Sequence, residues 1–151
     1  KGIIDALLAD FKEELFYLGK IYGTNINLPM WFKHFGLEKY VKAWKYVVDL
    51  FGENQVTSFV LAGLGERDEV LIDGMKLMAS IGVIPYLIPF RPLPETPLAD
   101  MRPPDPERMI RLFRELRQII LDAGLDVFKN KGGCMRCGAC SSNREVIKYG
   151  I

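Results

Sequence analysis

No cysteine precedes position 134 in this chain of 151 residues, only one histidine occurs, and no apolar run is long enough to cross a bilayer. A secreted disulfide framework would spread an even number of cysteines along the chain, so the three present, all within seven residues, exclude that class. A single histidine, His34, leaves little imidazole for a catalytic dyad or a histidine-rich metal site. A bilayer span needs about 20 consecutive apolar residues, and the first residues do not read as a signal peptide, so no membrane partner is expected and the expected location is cytoplasmic. Charge is also nearly absent in net terms. Twenty basic side chains face 19 acidic ones, for a net charge of +1, which offers no general attraction for nucleic acid. The chain opens on Lys1-Gly2 without an initiator Met, and is therefore expected to begin partway through a longer gene product.

What is present is a globular composition, 49% hydrophobic and 26% charged, in a length suited to one domain or part of one. Ile3 to Leu18 carries apolar residues at helical spacing, and Thr24 to Leu28 (TNINL) is a short strand candidate stopped by Pro29. Leu37, Tyr40, Val41, Trp44, Val47, Val48 and Phe51 form a second helical stripe closed by Gly52. Val56 to Leu61 is an apolar run of strand length. Gly63 and Gly65 then permit a tight turn, and Glu66, Asp68 and Glu69 sit where a helix dipole favours acids. That helix runs to Gly82, and Val83 to Phe90 is a further strand. Strand, helix and strand at this spacing predict a βαβ crossover with parallel strands, and the whole order predicts an α/β fold. Eight of the nine prolines fall between Pro85 and Pro106, a stiff exit leading to a helix capped by Asp105 and stopped by Gly124. Met75 and Met78 fit a core stripe. The expected divisions are residues 1–104 for the sheet and its helices, 105–126 for the last long helix, and 127–151 for a cysteine-rich tail.

That tail holds Cys134, Cys137 and Cys140 at C-x2-C-x2-C, with Gly132, Gly133 and Gly138 freeing the backbone to wrap one centre. The spacing opens the bacterial ferredoxin run, but Arg144 stands where the fourth cysteine would fall. A [4Fe–4S] cluster here would keep one iron without a cysteine ligand. That position is open to substrate, His34, a small molecule, or a cysteine from elsewhere. Two other readings stay open: structural zinc, which wants a fourth Cys or His ligand, and free or redox-active thiols. Arg91 ends the last strand, at the edge where ligands bind in parallel sheets, and is a candidate anchor for an anionic substrate or simply a surface arginine. Asn27 ends TNINL, either as a turn former or as a binding residue.

Leu61-Ala-Gly-Leu-Gly-Glu66, followed by a helix, an apolar strand and Glu95-Thr-Pro-Leu-Ala-Asp100, resembles the second half of radical S-adenosylmethionine (radical SAM) enzymes, nearest the biotin synthase-like branch. The resemblance covers about Thr24 to Asp100. It implies a partial (β/α) barrel in which TNINL, Val56–Leu61 and Val83–Phe90 are the last three strands, about three parallel strands in all. The family's fifth-strand pattern Gly-x-Ile-x-Gly-x-x-Glu falls on Phe59, Leu61, Gly63 and Glu66, with Phe59 replacing its first glycine. By that resemblance Leu61, Gly63 and Glu66 line the nucleoside site and Asn27 contacts ribose, although Pro29 replaces the acid that often follows. The family's catalytic Cys-x3-Cys-x2-Cys motif does not occur in this sequence. The resemblance therefore implies a C-terminal half carrying an auxiliary [4Fe–4S] cluster and part of an S-adenosylmethionine site, inactive in cleavage by itself. The alternatives are a non-catalytic iron–sulfur electron-transfer or scaffold module and a zinc-stabilised interaction domain. Three parallel strands cannot close a barrel. Their open edges and apolar concave face are expected to be covered by a missing N-terminal half, a partner subunit or a second copy, with a small-molecule substrate held between.

Overall fold

The computed structural model describes residues 37–150. The first predicted helix, TNINL with Asn27, and His34 lie outside the described residues. Within them the fold is mixed α/β, built on a two-stranded parallel sheet. In chain order the elements are α1 (Leu37–Phe51), β1 (Val56–Ala62), α2 (Asp68–Ser80), β2 (Val83–Pro89), α3 (Pro106–Asp122), a 3-10 turn (Val127–Lys129), α4 (Gly133–Cys137) and α5 (Asn143–Tyr149).

The predicted βαβ unit is present. Strands β1 and β2 pair in parallel from Val56 opposite Val83 to Ala62 opposite Pro89, with the Phe90 N–H adding a bond to the Ala62 carbonyl at 2.7 Å. Because side chains alternate along a strand, this register sorts the sheet into two faces. Val56, Val60, Ala62, Val83 and Leu87 share one face. At the start of the strands, Val56 and Val83 pack with Met78 of α2 and with Trp44, Val47 and Val48 of α1. Further along, Ala62 and Leu87 join Leu71, Met75, Leu112 and Leu116 from α2 and α3. Thr57, Phe59, Leu61, Ile84, Tyr86 and Ile88 share the other face, where the Phe59 and Tyr86 rings meet edge to face at 5.4 Å.

Helix α1 departs from expectation in one respect. Its apolar stripe is continuous in sequence, yet only Trp44, Val47 and Val48 are packed on the β1–β2 core, while Leu37, Leu50 and Phe51 are exposed. A 15-residue helix is longer than its footprint on two strands, so its ends overhang. Helix α3 begins as its sequence predicts. Pro106 occupies the first turn, and the Asp105 carboxylate accepts the N–H groups of Glu107 and Arg108.

The tail beyond α3 is the part the periodicities leave undetermined. It wraps β2. Asn54 Oδ1 accepts the Asp126 N–H at 2.6 Å, Asn130 Nδ2 donates to the Asn54 carbonyl, and Gln55 bridges the Lys129 carbonyl and the Lys131 N–H. These bonds pin the tail at the N-terminal end of β1. Helix α4 then lies on the Thr57 side, with Gly133 beside the Thr57 hydroxyl. Finally the Asn143 amide reaches the outer edge of β2. Its Oδ1 accepts the Leu87 N–H at 3.0 Å and its Nδ2 donates to the Leu87 carbonyl at 2.9 Å, with Ser141 Oγ donating to the same carbonyl at 2.7 Å. Side chains thus stand in for a neighbouring strand at this edge. At Leu87 the chain's own tail supplies these partners. Phe59 and Leu61 on the sheet face remain exposed.

Candidate metal centre

The cysteine segment is organised by its glycines. Gly132 and Gly133 start α4, which carries Cys134 and Cys137 three residues apart and so on one helical face. Gly138 adopts φ 68°, the left-handed conformation that ends the helix, and its N–H bonds back to the Cys134 carbonyl at 2.8 Å. The reversal brings Cys140 back toward the first two. Met135, between the cysteines, is fully buried in the main core and anchors α4 there. Cys134 is half-buried against that core, while Cys137 and Cys140 are exposed, and none is in a disulfide. The Cys134 thiol is pushed up in pKa, first by loss of water and then by negative charge on Cys140 and Cys137.

The sulfurs therefore feel one another, but they are not gathered. Among the described residues, no three His, Cys, Asp or Glu side chains converge closely enough to hold a metal ion as they stand. A bound ion or cluster would have to draw the thiolates together, and each Sγ has a rotatable χ1 for that movement. The donor chemistry fits a thiophilic group: three soft sulfurs, with no carboxylate or imidazole among them.

A second feature of the site comes from the sheet. Tyr86 is 1% exposed, and its hydroxyl is buried without a hydrogen-bond partner. The residue next to it, Leu87, is fastened to Ser141 and Asn143, directly after Cys140. The phenol's pKa is raised, by burial first and then by Cys140 and Cys134, with Cys137 contributing less. The backbone of Cys140 acts in the opposite sense, although it does not meet the hydroxyl in hydrogen-bonding geometry. Burial and the neighbouring cysteine segment thus act together to keep this phenol neutral.

Arg91 also reaches this region, its Nη2 lying 3.5 Å from the Cys140 carbonyl. Arg144, at the position of the absent fourth cysteine, donates to the Arg136 carbonyl at 2.6 Å and lies over the Phe128 ring. It braces the loop from outside.

The residues assigned to a nucleoside site lie at the opposite strand, around the end of β1. Leu61 is exposed on the Phe59 face. Gly63 holds φ 111°, and a Cβ there would come within 2.7 Å of Pro104 Cδ, so the proline-rich exit is packed onto the glycine turn. Glu66 does not belong to the following helix. Its two carboxylate oxygens accept the Gly63 and Leu64 N–H groups at 2.8 and 2.7 Å, and Arg108 pairs with it at 2.9 Å while also pairing with Asp68 at 2.6 Å. Glu66 thus folds its own turn and ties it to α3. Glu66→Ala is expected to cost about 2–4 kcal/mol in urea unfolding, because two backbone donors and a partly buried guanidinium lose their partner.

Three residues of the site carry no motif in the sequence: Tyr86, Ser141 and Asn143. Tyr86 reads as one more apolar strand residue. Asn143 and Ser141 read as loop polars. Only their placement opposite Leu87 and Cys140 reveals their use. No protein-family model, no curated protein and no solved structure matches this chain.

Proposed function

We propose that Cys134, Cys137 and Cys140 hold a [4Fe–4S] cluster on the C-terminal portion of a radical SAM enzyme, in an auxiliary rather than a catalytic position. The observation that supports the cluster reading is the C-x2-C-x2-C run itself, carried on a short helix and a glycine reversal that leave Cys137 and Cys140 exposed beside the half-buried Cys134. Such a cluster supplies one-electron transfer, or a Lewis-acidic iron where a protein thiolate is lacking. The chain's own contribution is structural and electrostatic. It carries the three thiols on the α4 helix and the Gly138 reversal, from which a bound group would draw them together, anchors α4 to the core through Met135, and sets Arg91 beside Cys140 to attract an anionic small molecule.

The radical SAM part of the reading rests on the resemblance stated above, supported by a parallel β1–α2–β2 unit whose glycine turn and exposed Leu61 lie together at the C-terminal end of β1. On this reading the two strands belong to a partial (β/α) barrel, and an N-terminal half or partner covers the Phe59–Leu61 face. Cleavage of S-adenosylmethionine is the work of a Cys-x3-Cys-x2-Cys site on that other half. An in-frame upstream coding sequence containing the motif supports this reading, and a natural start codon at or near Lys1 overturns it. For the cysteine site itself, anaerobic addition of ferrous iron and sulfide should produce a broad charge-transfer absorption that bleaches on reduction. Uptake of zinc in its place, with no sulfide retained, favours the interaction-domain alternative.

A further inference from the structure

The buried Tyr86 hydroxyl has no hydrogen-bond partner among the described residues. A phenol normally finds a partner when its ring is buried, and leaving one unpaired is unfavourable. Here the ring is held in place from several directions. Phe59 meets it edge to face, the sheet register fixes its backbone, and the next residue, Leu87, is locked to Ser141 and Asn143. The same three-residue stretch positions Cys140, and Cys134 packs on the core to which Tyr86 belongs. A rigid hydroxyl without a hydrogen-bond partner therefore lies in the core cluster against which Cys134 packs, one residue from the point where the chain after Cys140 is fastened.

Resting on the cluster reading above, we propose that Tyr86 is a positioning residue for the metal centre, donating its hydroxyl hydrogen bond to a thiolate or sulfide sulfur once the three cysteines are drawn together. A thiolate is a hydrogen-bond acceptor that the neutral thiol is only weakly, so the partner arises on loading. Hydrogen bonds to cluster sulfurs delocalise negative charge and raise the reduction potential, and removing one lowers it.

The test is Tyr86→Phe in the full chain, compared with wild type before and after anaerobic loading with ferrous iron and sulfide. In the metal-free protein the variant should melt at the same temperature as wild type or higher, since an unsatisfied polar group has gone. After loading that ranking should reverse. Iron and sulfide content should match wild type, the midpoint potential should fall, and an exchangeable-proton coupling seen in wild type by electron–nuclear double resonance should vanish. Equal potentials and equal proton couplings in the two loaded proteins overturn the inference while leaving the cluster reading intact. A wild-type chain that takes up neither iron nor sulfide overturns both. If Tyr86→Phe fails to fold, the exchangeable-proton coupling of the loaded wild type, transferred from water to deuterium oxide, still decides. Its absence overturns the proposal.

Discussion

Cys137→Ser should abolish retention of iron and sulfide, lowering both at least tenfold after desalting, while leaving the metal-free chain as stable as wild type. The two halves of that expectation come from different features. Cys137 is exposed, and a surface substitution away from caps and buried pairs changes stability by less than about 0.5 kcal/mol. As one of only three thiolates it has no substitute, because no other cysteine exists in the chain. Cys140→Ser should behave in the same way. Cys134→Ser should differ, adding a stability cost of about 1 kcal/mol from placing a hydroxyl against the core on which Cys134 packs. Full cluster content in Cys137→Ser would remove that residue from the ligand set.

Asn143→Ala should be the most destabilising single change in the tail. Asn143 is fully buried and supplies both a donor and an acceptor to Leu87. Ser141 still serves the Leu87 carbonyl in the variant, but the Leu87 N–H loses its partner. A buried group left unpaired costs about 1–3 kcal/mol, and the vacated side-chain volume adds to it, so about 2–4 kcal/mol is expected. For a chain of this size that is a fall in melting temperature of roughly 5–15 °C. Cluster retention should fall as well, because Ser141 and Asn143 fasten the chain just after Cys140. Asn143→Asp separates the two hydrogen bonds. Its carboxylate still accepts the Leu87 N–H but faces the Leu87 carbonyl without a proton to donate. Burial next to that carbonyl favours the protonated acid in the folded state. The deficit relative to wild type should therefore shrink as pH falls toward and through the ordinary carboxyl range, near 4. A variant within about 0.5 kcal/mol of wild type would show that the edge is closed by other means.

The regular elements were legible because their signals are periodic. Alternation was not needed for β1 and β2, since a parallel pair shows as apolar runs bounded by glycine and proline, and both strands fall within a residue or two of their predicted limits. The Asp105-Pro106 start of α3 was legible for a chemical reason, a cap followed by a residue without an N–H. The tail was legible only in its cysteines. Its route depends on Asn54, Gln55, Asn130 and Asn143, whose partners lie 56 to 76 positions away and leave no local pattern. Glu66 illustrates a subtler failure. As an acid before a helix it reads as a dipole partner, whereas two vacant N–H groups in the preceding glycine turn compete for its carboxylate and win. Tyr86 was hidden for the converse reason: in a fully buried strand a tyrosine looks like any other large residue until its hydroxyl is located.

The measurement that bears most directly on the central claim is a joint determination of iron, zinc and acid-labile sulfide on the chain purified without oxygen. The cluster reading predicts about four iron and four sulfide per chain with zinc well below one. About one zinc per chain, with iron and sulfide at background, would contradict it.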